Sequence, residues 1–469
     1  MHSFIGSGFR PPAPTPPPRP LGPLALLQAL RTNPLECWAK AHFEESIVLG
    51  GFPFMRYAVV SDPSAIRKIL IDDQSAYRKS TIERRVLGSR MPNGLVTVDG
   101  KQWERLRRTL APLFGRTMTA GFDQAMGHVA ADLVERWQHL GDGSVVEIKA
   151  EMSRVALEAL VRCIFSEGLG DPKAVCDATT RYYATCGGLD PFDVLGLPDF
   201  VPRFTRLRMQ HVLRDFYEAL SAAIAERRRS LAAEPNAPCD MLGAMLAAKD
   251  PQTGGQMTEA EVRDNVITFI FGGQETTSSA LTWAIYLLSQ SREWRERVAE
   301  EADDVIGSAA PNALAGLVQT RAVIEEALRL YPPIIGITRT ALRRTELAGH
   351  TIDRGTMVVI SPYVVHRHRL LWRDPDVFDP TRFLPGRSKP IERYSFLPFG
   401  VGPRICIGAA LAVQEATVVL AALMRRFVFE LVPGQAVWPV IDFTMKPRDG
   451  LRMSVSRRLS PAESQAAEQ

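Results

Sequence analysis

Apolar side chains recur at helical spacing through most of the chain from residue 64 onward. The stretches AIRKILID, GKQWERLRRTLAPLF, AMGHVAADLVERWQHL and MSRVALEALVRCIF each gather their large apolar residues on one face, the pattern of amphipathic helices. Shorter runs rich in β-branched and aromatic residues punctuate them. FPFMRYAVVSD predicts a strand ahead of the helical region, and TMVVISPYVV, FVFELV and LRMSVSRR predict strands in the second half. Residues 22–44 read as short amphipathic helices. Before them, GFRPPAPTPPPRP has no apolar period, so residues 1–20 are expected to form a proline-rich, extended arm without core contacts of its own. The polar, acidic end, residues 459–469, is expected to fray. No repeat or linker divides residues 21–458, which predicts one mainly α domain with small β-sheets.

The longest helical pattern begins at Thr258, an N-cap residue with Glu261 three positions on. That capping box satisfies two backbone donors reciprocally. No proline follows until well past residue 290, so a helix of about 30 residues, roughly 45 Å long, is expected. In its middle stand Gly272 and Gly273, each costing about 1 kcal/mol relative to alanine. Two readings are open: close packing of another helix, or a groove beside a bound group, with Glu275 and Thr276 placing an acid and a hydroxyl at its edge for proton relay.

Composition narrows the class. The chain has 469 residues and a formal net charge of +4, which implies neither a nucleic-acid surface nor a broadly basic membrane patch. Its six cysteines show no CxxC pair, which points to a reducing compartment. No early stretch matches a membrane span or a signal core, and a cytoplasmic protein is expected.

One cysteine stands apart. In FGVGPRICIG, Cys406 lies just before the helical pattern AALAVQEA, where backbone N–H groups favour thiolate, and glycines allow close approach to a flat ligand. Alone, such a cysteine is most often a small core residue. Its setting changes that: Phe399, Gly402, Arg404, Cys406 and Gly408 stand in the register Phe-x-x-Gly-x-Arg-x-Cys-x-Gly, and the chain resembles the cytochrome P450 family. The resemblance implies a single-domain P450 fold holding haem b (iron-protoporphyrin IX) between the long central helix and the cysteine loop. Cys406 would be the axial iron ligand, Phe399 would pack beside the sulfur, and Arg404 would pair with a propionate. A thiolate ligand favours O–O cleavage.

Further motifs follow in the family's order. Glu326 and Arg329, before Tyr331-Pro332-Pro333, resemble its Glu-x-x-Arg helix, and Pro380-Thr381-Arg382-Phe383 its later loop, making Arg382 the third member of a structural ion network. Thr381 departs from the glutamate many relatives carry. Trp103, Arg107 and Arg339 match propionate-binding positions. Gly272, Gly273, Glu275, Thr276 and Thr277 match the oxygen-binding motif, in which Thr276 would guide protons during oxygen activation and Glu275 would feed them inward. Thr268, Phe271, Gly272, Ile335 and Phe443 or Thr444 would meet substrate. RRVLGSRMPNGLVTVDG and GGLDPFDVLGLPDFVPRF resemble the family's variable entrance regions.

The implied function is a monooxygenase that uses O2 to hydroxylate or epoxidise a small-to-medium apolar organic substrate, with a fatty acid or terpenoid expected first. A haem-thiolate peroxygenase or isomerase, or a non-catalytic haem sensor, is the alternative. The chain carries no dinucleotide fingerprint, so electrons would come from a ferredoxin or flavodoxin with its reductase. Arg105, Arg108, Arg425 and Arg426 would form the docking patch on a monomer.

Overall fold

The structure is a computed structural model that describes residues 8–52, 55–80, 91–165, 177, 179, 204–233, 240–307, 313–386 and 390–458. Residues 84–90 of the first proposed entrance region, all but Phe204 of the second, and residues 459–469 lie outside the described residues.

The capping box at Thr258 starts the central helix as expected. Glu261 N donates to Thr258 Oγ1 at 3.2 Å, and Thr258 N donates to Glu261 Oε2 at 3.0 Å. The helix then runs Glu259–Ser289. Its second half is buried on all sides, with Leu281, Trp283, Ile285 and Leu287 fully covered, which is why its apolar residues do not segregate to one face. Around it pack the helices Ile148–Ile164, Val318–Leu330 and Ala409–Arg426. Trp283 stacks on Tyr331 with ring centroids 3.8 Å apart and donates through Nε1 to Met445 O at 3.2 Å.

The sheets lie apart from this helical body. The largest has five strands in the order Ile47–Phe52, Met55–Val60, Met357–Ile360, Ile337–Ala341 and Tyr77–Lys79. Its pairings are antiparallel except for Met55–Val60 on Met357–Ile360, where Tyr57 faces Met357. Arg452–Arg457 pairs between Ser144–Glu147 and Phe427–Leu431, tying the C-terminal end to the middle of the chain.

One expected strand is found with a partner that no pattern announced, and two expectations are corrected. The strand predicted at FPFMRYAVV is half of a hairpin whose first strand, Ile47–Phe52, includes two glycines that weakened its strand signal. In TMVVISPYVV only Met357–Ile360 is strand; Ser361 caps a one-turn helix, Pro362–Val365, because proline is well placed at its first position. The proline arm, finally, is extended but does make core contacts. Pro11 and Pro14 are buried. Phe9 packs edge-on against Tyr286 at 6.2 Å, and its carbonyl accepts from Phe378 N at 3.0 Å. Tyr331 donates its hydroxyl to Pro12 O at 2.8 Å, and Lys40 N donates to Pro17 O at 2.9 Å. A proline-rich segment keeps every carbonyl free to accept, and here other segments use them.

Candidate active site

The cysteine loop is fixed from both ends. Leu397 N donates to His366 Nε2 at 2.7 Å, which requires that nitrogen to be unprotonated. Burial, and next the charge of Arg329, hold the His366 imidazole down at about 3, so the ring is neutral. Within the loop, Gly400 N donates to Leu397 O at 3.1 Å and Cys406 N to Phe399 O at 2.9 Å. Gly402 is needed here on two counts: its φ is 77°, and a Cβ would stand 2.4 Å from Leu70 O. The loop ends at Gly408, the residue before the helix Ala409–Arg426.

Behind the loop, Glu326 and Arg329 are fully buried and joined by two bonds, Nε to Oε2 at 2.6 Å and Nη2 to Oε1 at 2.7 Å. Arg329 also donates to the carbonyls of His366 at 2.9 Å, Pro375 at 2.7 Å and Val377 at 3.0 Å. Asp379 N donates to Glu326 Oε1 at 2.8 Å, and Arg382 Nε lies 3.7 Å from the same oxygen. Every arm of the guanidinium is used, so this buried pair holds a set of loop carbonyls in place rather than only one partner.

A cavity of about 480 Å³ separates the cysteine loop from the central helix. Cys406 opens onto it, and so do Phe399, Arg404, Trp103, Arg107 and Arg339. From the central helix it is lined by Thr268, Phe271, Gly272 and Thr276, and from the C-terminal hairpin by Phe443. Burial pushes the Cys406 thiol up, while a hydrogen bond from the Gly408 backbone and the charge of Arg107 pull it down. Arg404 stacks over Trp103 at 4.1 Å and is paired with Asp99. Arg339 donates to Thr338 O at 2.9 Å.

Three of the expected site residues are not in this wall. Ile335 is turned into the helical core, and its neighbours Ile334 and Gly336 line the cavity instead. Glu275 points to the other side of the helix, where its carboxylate takes Lys149 Nζ at 2.9 Å and lies 3.5 Å from Ser153 Oγ. Thr444, the alternative to Phe443, is buried away from the cavity. The two glycines divide the two readings between them. A Cβ on Gly273 would come within 2.8 Å of Leu160, whereas one on Gly272 would meet nothing within 4 Å. The first serves helix packing; the second leaves room in the cavity.

The structure adds residues that no local pattern marked. Lys79 lines the cavity from the strand paired with Arg339, and its ammonium donates to Val96 O. Glu415 lines it from the helix after Cys406, and burial raises its carboxyl to about 8. The expected docking patch is corrected: Arg105 is paired with Glu261, Arg108 with Asp250 at 3.0 Å, and Arg425 with Asp303 at 3.2 Å. Of the four, Arg426 alone has no carboxylate partner among the described residues.

The donor set suits a haem. A sulfur opens onto the cavity, apolar side chains line the walls, and Lys79, Arg107, Arg339 and Arg404 would supply cations for the carboxylates such a group carries. Comparison with known proteins agrees with the chemistry. The family model Cytochrome P450 matches residues 13–454. The chain is 34% identical to cyclooctatin synthase of Streptomyces melanosporofaciens over 74% of its own length and 75% of the relative's. It is 32% identical to pentalenene oxygenase of Streptomyces avermitilis, over 84% and 87%. The crystal structure of a cytochrome P450DA heme domain shares the fold, with a TM-score of 0.79, 24% identity, and coverage of 97% of this chain and 99% of that one.

Proposed function

The chain belongs to the cytochrome P450 family of haem oxidoreductases, and from that premise we propose that it is a haem b monooxygenase acting on an apolar terpenoid. The observation that carries the reading is the placement of Cys406 and Thr276 on one cavity with apolar walls. Bound there, a haem would supply oxygen activation driven by a thiolate ligand.

The chain's own residues divide the remaining work. Cys406 holds the iron, and the loop bonds through Phe399 O and His366 orient it. Lys79, Arg107, Arg339 and Arg404 hold the propionates, with Trp103 stacked under Arg404. Thr276 Oγ1 donates to Gly272 O at 2.5 Å, so its hydroxyl is held at the cavity with lone pairs to accept and pass a proton. Glu275 lies on the far side of the helix, where it is paired with Lys149 and close to Ser153, and does not meet substrate. Met91, Leu95, Phe271 and Phe443 exclude water and receive a hydrocarbon skeleton.

A terpenoid is favoured over a fatty acid on two grounds: the relatives named for cyclooctatin and for pentalenene, and walls that offer the substrate few polar groups. A separate ferredoxin or flavodoxin with its reductase would deliver electrons, and the protein would work in the cytoplasm. The test is spectral and chemical. The reduced, carbon-monoxide-bound protein should show the red-shifted thiolate band, Cys406→Ala should lose it, and a surrogate redox pair should drive NADPH-dependent oxygenation of a cyclic terpene. An unshifted band refutes the ligand. A correct band with a peroxide-only or redox-neutral turnover refutes the monooxygenase.

A further inference from the structure

The cavity wall formed by residues 91–99 has little regular structure, yet it is bonded inside and at both edges. Gly94 N donates to Met91 O at 3.0 Å and Thr97 N to Gly94 O at 2.9 Å, which makes the segment a stiff turn. At one edge Lys79 holds Val96 O and Arg404 holds Asp99. At the other, the central helix reaches up with two consecutive residues. Asp264 Oδ2 accepts both Asn93 N at 2.9 Å and Asn93 Nδ2 at 3.0 Å, and Asn265 Oδ1 accepts Leu95 N at 2.8 Å. Asn265 Nδ2 donates in turn to Glu261 O at 2.7 Å and to Asn93 O at 3.5 Å.

Asp264 and Asn265 are both fully buried, and neither lines the cavity. The side chains they control do: Met91, Leu95 and Val96 stand in its wall. The turn rides so close to the helix that a Cβ on Gly94 would lie 2.3 Å from Thr268 Oγ1 and 3.1 Å from Asp264 O. Thr268 donates to Asp264 O at 2.7 Å and lies 3.2 Å from the Met91 sulfur, so the bonded pair and the cavity surface are one helical turn apart. On its other oxygen Asp264 takes Arg263, Nε at 3.3 Å and Nη2 at 3.2 Å. That guanidinium sits over the ring of Tyr217, 4.6 Å from its centroid, on the helix Phe204–Ala233.

We propose that Asp264 and Asn265 are positioning residues for substrate selection. They latch the 91–99 turn to the central helix, set how far Met91 and Leu95 reach into the cavity, and through Arg263 and Tyr217 tie that setting to the helix Phe204–Ala233. The physical basis is that hydrogen bonds to a buried carboxylate are the strong ones, while an irregular segment has few others to keep it in place. A flexible methionine at the turn's tip then converts a small displacement into a different cavity shape. The bearing on substrate rests on the functional reading above; the latch itself does not.

The experiment has two readouts on the holoprotein. Hydrogen exchange of the 91–99 amides should quicken by at least about tenfold in Asp264→Ala, the loss expected for a charge-assisted bond, while residues 276–289 keep the parent rate. Asp264→Asn, which keeps an acceptor, should fall between the two. In the second readout, binding of imidazole and of 4-phenylimidazole is followed by the haem absorption shift, and the ratio of their affinities should move at least about threefold toward the bulkier ligand. Parent-rate exchange at 91–99, or an increase equal across the chain, overturns the latch. If Asp264→Ala does not take up haem, Gly94→Ala must shift the ratio from the loop side, and an unchanged ratio overturns the proposal there. Should the parent take up no haem, the haem reading fails, and exchange still decides the latch.

Discussion

The cavity has two walls, and they are built on different principles. On the cysteine side, Glu326 and Arg329 sit on one helix turn, and their buried charges gather carbonyls from residues 366, 375 and 377. On the opposite side, the central helix runs along the cavity, and the wall is completed by a turn pinned at separate points: Asp264 through two bonds to Asn93, Asn265 through Leu95, Lys79 through Val96 and Arg404 through Asp99. The first wall is a rigid mount in which each group has several partners. The second is adjustable, because each contact can be lost alone. Haem ligation needs the former, since a metal ligand displaced by a fraction of an ångström loses its bond; choosing a substrate tolerates the latter.

The sharpest way to break this contrast is on the rigid side. Arg329→Ala leaves Glu326 as a buried charge with one fewer partner, at a cost of about 3–5 kcal/mol, and should give protein with little haem; urea unfolding and the haem-to-protein ratio measure it. Next in size is an acid effect. His366 is held at about 3 in the fold against 6.5 in the unfolded chain, so the unfolded state takes up a proton that the native state refuses. Stability should be full above pH 6.5 and fall as pH drops toward 3, and His366→Gln should flatten that slope in unfolding curves taken across the range.

A smaller effect is expected at the arm. Phe9→Ala removes a partly buried ring from against Tyr286 and should cost about 2 kcal/mol by urea unfolding, where a solvated arm would cost nothing. Smallest of all in stability is Thr276→Ala, expected within about 0.5 kcal/mol of the parent. Its signature is chemical: NADPH consumption should continue while a larger share of electrons ends in hydrogen peroxide. A drop in stability comparable to Arg329→Ala would erase the distinction between the two walls.

These walls also differ in how far they could be read from the sequence. The Cys406 loop, the Glu326 and Arg329 pair and the Thr258 capping box are short-range patterns, and spacing along the chain carries them directly. The orientation of Glu275 was not legible, because its partner Lys149 comes from another helix. Lys79, His366 and Glu415 escaped for the same reason: each takes its role from residues distant in the chain and has no neighbouring motif. The proline arm was misjudged because a lack of apolar period reports the absence of a helix or strand, not the absence of partners. The adjacent glycines show the limit best. Their shared helix penalty was visible, but only the position of Leu160 assigns packing to Gly273 and open space to Gly272.

The arm has a consequence for how the protein is made. Pro12 is synthesised before Tyr331, whose hydroxyl binds its carbonyl from 319 positions later. The backbone partner of Phe9 is later still, at Phe378. Loop closure over such a distance cannot precede the body of the fold. Seating the arm is therefore a late event, and a chain stalled before residue 378 leaves Phe9 without its backbone bond. The arm thus depends on segments made long after it, and gains the partners of Pro12 and Phe9 only once residues 331 and 378 are in place.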